Sequence, residues 1–254
     1  MQLRNTSSNA ELYKWTVNGE VVSESKDHNP VLRESGRYQI TLEASENDQT
    51  ATKRHEVILD ASLNCRVLIQ TTAGDMIFEL LEETPGHLAN FSKLVESGYY
   101  KGLLFHRVIN DFMVQGGDNK TRSGGKRYDE PAPIPAEINT DFPHYQGALA
   151  AARLPDDMNP EKASSGSQFY IVDGRSYDMK KIKDVQKEKY FDYKEEHFVT
   201  YVERGGAPQL DGEYTVFGYM LMGQEVLQKI AGTDTDKYDR PLREIKIIDV
   251  RFLN

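Results

Sequence analysis

Alternating apolar and polar residues recur in short runs along most of the chain, a pattern typical of a mainly β protein. In the first quarter, the dipeptide Asn18-Gly19 separates two such runs and is typical of a two-residue hairpin turn. Residues 38–42 and 56–59 form two further runs with strand character. Several short strands at near-regular spacing predict a small immunoglobulin-like β-sandwich over residues 1–62.

From residue 63 onward the alternation continues, but two stretches change to helical spacing. Thr84 and Pro85 fit the N-cap and the first position of one helix. The apolar positions of residues 226–230 predict a second, short helix. For residues 63–254 this pattern predicts a closed antiparallel β-barrel capped by two helices.

Composition narrows the classes of partner. The formal net charge is -9, from 31 Lys and Arg against 40 Asp and Glu, which argues against a nucleic-acid partner because phosphate contacts need clustered cations. No apolar run approaches the roughly 18 residues that a membrane helix needs. Cys65 is the only cysteine, which excludes an internal disulfide. Without the Cys or His spacings of a metal site, we expect neither a metal nor a cofactor.

Candidate chemistry lies in residues 105–118, FHRVINDFMVQGGD. This stretch has one arginine, Arg107, in a largely apolar run, and Gln115 supplies an amide that can hold a guanidinium by hydrogen bonds. Alternation places Phe105 and Arg107 on one face and His106 on the other, where a structural role is expected. The plain alternative is a core strand with one surface arginine.

Two later stretches favour a functional interpretation: SSGSQFYI at residues 164–171 and LDGEYTVFG at residues 210–218. With the Phe-His-Arg and Phe-Met-x-Gln-Gly-Gly-Asp pieces of the central stretch, they resemble the cyclophilins, the peptidyl-prolyl cis-trans isomerases. All four pieces occur in the order of that family. The resemblance covers about residues 65–254 and implies the cyclophilin fold.

This resemblance implies a protein-folding catalyst that isomerises X-Pro bonds in unfolded or flexible, proline-containing polypeptides. Rotation about such a bond meets a barrier of about 18–20 kcal/mol, and no covalent bond breaks. A cation aimed at the proline nitrogen stabilises the twisted state, in which this nitrogen gains a lone pair. By resemblance, Arg107 is this catalytic donor and Gln115 orients it.

The resemblance also implies a proline pocket. Phe112, Met113 and Leu210 match its residues in the family. Tyr170 stands where the family usually has phenylalanine, and this change adds a hydroxyl to the pocket floor.

Positions around the pocket depart from the usual residues of the family. Ala152 and Arg153 match the strand that pairs with the substrate backbone, although Arg153 replaces a common asparagine. Gln168 matches the glutamine of Ser-Gln-Phe. Tyr214 occupies the position of a family histidine, and Gln209 that of a tryptophan. Because an aromatic contact is lost at Gln209, we expect weak binding of the cyclic peptide cyclosporin with ordinary peptide turnover.

Residues 174–206, approximately, interrupt the strands and predict one helical insert. Aromatic side chains recur in it three and four residues apart, the spacing of one helix face. They are Tyr190, Tyr193, His197 and Tyr201. We expect this face to pack against its own domain, and we expect the insert to flank the active groove because it leads directly into Gln209.

Two other functions stay open. The first is a proline-peptide-binding chaperone or docking module with little turnover. The second gives the main role to residues 1–62, as an adhesion or docking element. Residues 13–19 and 36–42 resemble the PKD-type immunoglobulin-like modules. Since such modules occur in envelope proteins, we expect a bacterial periplasmic or cell-envelope location with the leader removed. A cytoplasmic location is the alternative.

Overall fold

The computed structural model describes residues 5, 7, 10–28, 36–47, 49–59, 66–122, 128–189 and 193–253. The chain folds as two compact units, Met1–Leu63 and Asn64–Asn254. Cys65, Tyr190 and the boundary predicted after residue 62 lie outside the described residues. Within the described residues, no helix is long and apolar enough to cross a membrane.

The first unit contains a four-stranded antiparallel sheet. Its strands are β1 (Leu12–Val17), β2 (Glu20–Ser23), β3 (Gly36–Glu46) and β4 (Gln49–Leu59), in the order β2-β1-β3-β4. Asn18 and Gly19 have φ angles of 52° and 88°, as the predicted two-residue hairpin turn requires. The predicted β-sandwich is not confirmed, because the described residues of this unit contain a single sheet. β3 and β4 pair along their whole length as one long hairpin and do not divide between two sheets.

The second unit is mainly β and is built on an eight-stranded antiparallel sheet. Its strands are β5 (Arg66–Thr71), β6 (Gly74–Leu80), β7 (Arg107–Ile109), β8 (Met113–Gly116), β9 (Ala148–Arg153), β10 (Ser164–Val172), β11 (Val216–Met222) and β12 (Ile247–Phe252). The order across the sheet is β12-β5-β6-β11-β9-β10-β8-β7. The helices are α1 (Pro85–Glu96), α2 (Met179–Lys189), α3 (Glu195–Arg204) and α4 (Gln224–Ala231).

The sheet curls into an open barrel, so the prediction of a closed barrel is wrong. Its edge strands β7 and β12 form no ladder with each other among the described residues. One isolated bridge, Leu104 with Lys246, links the two edges. Val108 of β7 instead donates its backbone N–H to the carbonyl of Asp239, at 2.8 Å. The loop that precedes β12 therefore takes the hydrogen-bonding edge of β7.

Two helices pack against the interior of the barrel, as the sequence predicts. Phe91 of α1 and Leu227 and Ile230 of α4 are buried in one cluster with Phe78 and Phe169 of the sheet. Each fully buried side chain of this size stabilises the fold by roughly 1.5–3 kcal/mol. This interior cluster fixes the strands whose opposite faces carry the candidate site.

The insert forms two helices, α2 and α3, and the prediction of one continuous helix is wrong. Lys194 has φ -71° and ψ 160°, an extended conformation that a helix cannot contain. The aromatic face packs within its own domain as expected, because Tyr193, His197 and Tyr201 are all buried. α3 ends at Gly205, whose φ is 79°, and the chain then leads into the candidate site.

Candidate active site

A row of cross-strand partners runs along one face of the second sheet. Arg107 of β7 lies opposite Gln115 of β8. Gln115 lies opposite Tyr170 of β10, and Tyr170 lies opposite Ala150 of β9. Cross-strand partners share one face, because side chains alternate between the two faces of a strand. The neighbour of Gln115 in the chain, Val114, belongs to the interior cluster, so the row lies on the outer face.

An apolar cluster on this outer face brings together most of the residues predicted to bind substrate. Its buried members are Met113, Ala148, Ala150, Ala152, Tyr170, Val172, Ala207 and Val216, and its partly buried members include Phe112, Leu210 and Tyr214. We call this set the pocket cluster. Six of the nine predicted substrate-binding residues belong to it. The partial exposure of Phe112, Leu210 and Tyr214 leaves apolar surface that a ligand can cover.

The two predicted catalytic residues, Arg107 and Gln115, share none of the described hydrogen bonds, contrary to expectation, and each has another polar partner. The Nε of Arg107 lies 3.4 Å from Oδ2 of Asp239, and the Arg107 side chain is 46% exposed. Gln115 donates from Nε2 to Oε1 of Gln168, at 3.1 Å. Among the described hydrogen bonds, none joins Gln115 to Arg107. The orienting contact on Arg107 in this structure therefore comes from Asp239, a residue that the sequence analysis did not select.

Arg153 supports the pocket from its side and does not project freely into solvent. Its side chain is 5% exposed. Its Nε donates to the carbonyl oxygen of Glu213 at 2.8 Å, and its Nη1 lies 2.5 Å from Oδ1 of Asp156. Its guanidinium lies 4.6 Å from the ring centroid of Tyr214, a cation–π contact. Arg153 therefore holds the ring of Tyr214 at the edge of the pocket cluster.

We call the partly exposed surface of the pocket cluster the groove. A cavity of about 410 Å³ adjoins the groove at Ala152. Four predicted site residues line it: Gln115, Ala152, Arg153 and Gln168. Met158, which is 67% exposed, lies at the same cavity. The cavity thus extends the site beyond the pocket cluster. Gln168, which is outside that cluster, belongs to the site because it lines the cavity.

Gln209 lies in a short turn, Pro208–Leu210, next to the insert. Its Oε1 accepts a hydrogen bond from the hydroxyl of Tyr177, at 3.2 Å. The preceding residue of the turn region, Ala207, is fully buried in the pocket cluster. The insert therefore contacts the segment that carries Gln209 and Leu210.

The residues before Arg107 have structural positions. Phe105 packs in the interior cluster and not on the face of Arg107, so its expected face is wrong. The reason is that Phe105 precedes β7, and strand alternation does not extend to it. Burial lowers the pKa of His106, and its Nδ1 is buried without a hydrogen-bond partner in the described residues. The structural role expected for His106 stays a prediction.

Sequence reasoning missed two buried residues behind the pocket. His144 is 1% exposed, and its Nδ1 lies 2.7 Å from Oδ1 of Asp211, whose side chain is 0% exposed. The Nε2 of His144 lies 2.9 Å from the hydroxyl of Tyr170. Burial raises the pKa of the Tyr170 hydroxyl well above its ordinary value, so this group stays protonated. Asp211 was visible as part of the Leu-Asp-Gly motif, whereas no local signal pointed to His144.

Comparison with known proteins identifies the family. Residues 66–252 match the sequence model of the family described as cyclophilin type peptidyl-prolyl cis-trans isomerase/CLD. A Staphylococcus saprophyticus protein named as a peptidyl-prolyl cis-trans isomerase is 36% identical over 193 residues, which are 74% of this chain and 91% of that protein. A protein of the same name from Staphylococcus haemolyticus is 34% identical over 190 residues, with 73% and 90% covered.

Solved structures agree. The crystal structure of a Cryptosporidium parvum cyclophilin type peptidyl-prolyl cis-trans isomerase is 28% identical, with a TM-score of 0.56, and covers 74% of this chain and 97% of that one. A second crystal structure of the same protein, in the presence of the dipeptide Ala-Pro, gives a TM-score of 0.54. The matched residues span the sheet from β5 to β12. The chain belongs to the cyclophilin-type peptidyl-prolyl cis-trans isomerases.

Proposed function

We propose that X-Pro bonds are isomerised in the groove on the outer face of the sheet, with Arg107 as the catalytic donor. One observation carries this proposal: the cross-strand row from Arg107 through Gln115 to Tyr170. This row sets a charged donor beside the pocket cluster, to which Tyr170 belongs. The proposed roles follow from this position, with Phe112, Met113 and Leu210 holding the proline ring.

The chemistry requires a donor that acts on the twisted state alone. When the bond twists, the proline nitrogen becomes pyramidal, and a guanidinium aimed at it stabilises this state over the planar ones. Arginine keeps its charge in an apolar setting. Uncatalysed exchange takes tens to hundreds of seconds. To reach a turnover of about 10–1,000 per second, the enzyme must lower the activation free energy by roughly 4–7 kcal/mol.

A charge-assisted hydrogen bond from Arg107 contributes roughly 1.5–3 kcal/mol of that difference. The remainder is assigned to the pocket cluster, which excludes water around the amide and holds the ring. Because no bond breaks, the proposal needs no nucleophile and no proton transfer. Gln115 and Gln168 hydrogen-bond each other and supply polar groups to the substrate backbone on the cavity side.

The proposed substrates are unfolded or flexible polypeptides that contain X-Pro bonds. The open groove and the adjoining cavity of about 410 Å³ suit an extended chain with the proline ring in the pocket and neighbouring side chains in the cavity. The solved Cryptosporidium relative in the presence of Ala-Pro supports the same class of ligand.

An exchange measurement tests this function. NMR exchange spectroscopy on a short Ala-Pro peptide compares the wild-type protein with Arg107→Ala. We expect rapid exchange with the wild type and slow exchange with the variant. Wild-type protein that binds the peptide without accelerating exchange would instead support a proline-peptide-binding chaperone or docking module.

We further propose that the first unit is a docking or spacer module and that the protein acts in the bacterial periplasm or cell envelope. The support is the resemblance of residues 13–19 and 36–42 to PKD-type modules. Most of these residues belong to β1 and β3, which pair directly. Fractionation of the native cells checks the location, and recovery from the cytoplasm alone contradicts it. Binding of cell-envelope material by a 1–63 fragment checks the docking role.

A further inference from the structure

A buried carboxylate joins the helical insert to the floor of the pocket. The side chain of Asp211 is 0% exposed. Its Oδ2 accepts hydrogen bonds from the hydroxyls of Tyr193 and Tyr201, the second at 2.5 Å. Its Oδ1 accepts from the backbone N–H of His144 and lies close to Nδ1 of the same residue, each at 2.7 Å. The two parts of the chain thus share one buried carboxyl group, whose oxygens depend on these protein donors because its side chain is not exposed to solvent.

This network ends on Tyr170. The Nε2 of His144 lies 2.9 Å from the Tyr170 hydroxyl, and the two rings stack at an interplanar angle of 11°. Nδ1 of the same ring faces Oδ1 of Asp211, so one imidazole joins the carboxylate to the hydroxyl of Tyr170. The ring of Tyr214 meets that of Tyr170 edge-on, with centroids 5.8 Å apart. The orientation of Tyr170, which forms the floor of the pocket, therefore depends on where Asp211 holds His144.

We infer that the insert positions the floor of the proline pocket through Tyr193 and Tyr201, and that it thereby sets the affinity for the substrate proline. The inference rests on the proposed function, because it takes the pocket cluster as the substrate site. Tyr193 and Tyr201 are positioning residues, because their hydroxyls contact Asp211 and act on the pocket through it. A phenylalanine at position 170 has no hydroxyl for His144, so the coupling requires the tyrosine that this chain has.

The test measures kcat and KM of the full chain on a short Ala-Pro peptide for Tyr193→Phe, Tyr201→Phe and the double variant. Each substitution removes one hydroxyl and keeps the aromatic ring that packs in the insert. We expect the double variant to raise KM about fivefold and to leave kcat within about twofold, because Arg107 is untouched. Either single variant keeps the test decisive if the double variant does not fold.

A double-mutant cycle separates positioning from a general loss of stability. In the Tyr170→Phe background, the insert substitutions have no hydroxyl to reorient, and we expect them to change KM by less than about twofold. Tyr100→Phe is the matched control. Its hydroxyl is buried and donates to the carbonyl of Ser167 at 3.3 Å, away from Asp211. We expect its KM to equal that of the wild type.

Two results overturn the inference: an unchanged KM in the insert variants, whether or not kcat falls, or an equal change of KM in both backgrounds. Arg107→Ala, measured in parallel, separates the two proposals. If Arg107→Ala turns over at the wild-type rate, the proposed catalytic role of Arg107 fails. If Arg107→Ala is inactive and the insert variants keep the wild-type KM, only the role of the insert fails.

Discussion

Arg107 and Asp239 form an ion pair at the edge of the sheet, with Nε and Oδ2 3.4 Å apart. The backbone of Asp239 is fixed as well, because its carbonyl accepts from the N–H of Val108 at 2.8 Å. Both side chains are more than two-fifths exposed, at 46% and 42%, so the pair contributes little to the free energy of unfolding. Its effect is on the direction of the guanidinium. The contact uses Nε, so the two terminal amino groups of Arg107 are outside it.

Arg107→Ala is expected to lower kcat/KM at least about tenfold, because it removes the hydrogen bond that we propose Arg107 makes to the twisted state. Exchange spectroscopy on an Ala-Pro peptide measures the rate, and an unchanged Tm shows that the fold is intact. Arg107→Lys is also expected to be poor, since a point charge cannot reproduce the planar guanidinium. Wild-type turnover by Arg107→Ala would refute the mechanism.

Asp239→Asn is expected to lower kcat/KM about two- to fivefold, because the uncharged amide holds the guanidinium less firmly. Asparagine suits the site because Asp239 has a φ of 62°, a conformation that asparagine tolerates. Asp249→Asn is the control, since its exposed pair with Arg251 lies on β12. An undiminished rate in Asp239→Asn would show that the ion pair does not orient Arg107 for catalysis.

A fragment from Asn64 to Asn254 is expected to fold and to isomerise X-Pro bonds with a kcat/KM within about twofold of the full chain. The physical reason is that this unit contains the whole eight-stranded sheet, its interior cluster and the pocket cluster. Circular dichroism and the exchange assay check it. An insoluble or inactive fragment, beside an active full chain, would make the first unit part of the catalytic body.

Cyclosporin is expected to inhibit weakly, and Gln209→Trp is expected to strengthen inhibition at least about tenfold. Gln209 is exposed and accepts from the hydroxyl of Tyr177, so it offers less contact than an indole. Loss of about 100 Å² of contact at about 25 cal/mol per Å² costs roughly 2.5 kcal/mol, or nearly two decades in affinity. Titration of inhibitor against both proteins measures it. Tight binding by the wild type would contradict the prediction.

Acid is expected to destabilise the second unit through His87 and Glu137. Burial lowers the pKa of His87 from its ordinary 6.5, against the opposing effect of Glu137. For Glu137, burial raises the pKa, but hydrogen bonds from His87 and from the backbone N–H groups of Gly86 and His87 lower it below its ordinary 4.5. Both groups bind protons more readily in the unfolded chain, so the free energy of unfolding falls below about pH 6.5 and falls further below about pH 4.5.

Melting curves at pH 7, pH 5 and pH 4 measure this effect. Glu137→Gln keeps an acceptor for His87 and removes the titrating carboxyl, so between pH 5 and pH 4 its Tm should fall by about 1–3 °C less than that of the wild type. Because the substitution also removes the charge that raises the pKa of His87, its loss of Tm between pH 7 and pH 5 should be no smaller than that of the wild type. Glu79→Gln, on the outer face of β6 beside Arg66, is the control and should follow the wild type. Equal losses of Tm between pH 5 and pH 4 in the wild type and Glu137→Gln would exclude the contribution of Glu137.

Local features of the chain were predictable from sequence. The turn at Asn18 and Gly19 was predictable because few residues adopt positive φ, and the start of α1 because Pro85 suits only the first helical turn. The motifs around Arg107 and Leu210 carried the family resemblance, and the family is confirmed. Each of these signals is contained within a few neighbouring residues.

Only the tertiary structure decided how distant residues pair. Thr84 occupies the N-cap of α1, but the free N–H groups of Gly86 and His87 bond to Glu137, about fifty residues away. The open edge of the barrel depends in the same way on the Asp239 loop beside β7. The link between Asp211, His144 and the insert also joins segments far apart in the chain. Such contacts leave no periodicity in the sequence, because the partner of a buried polar group is set by where the folded elements meet and not by spacing along the chain.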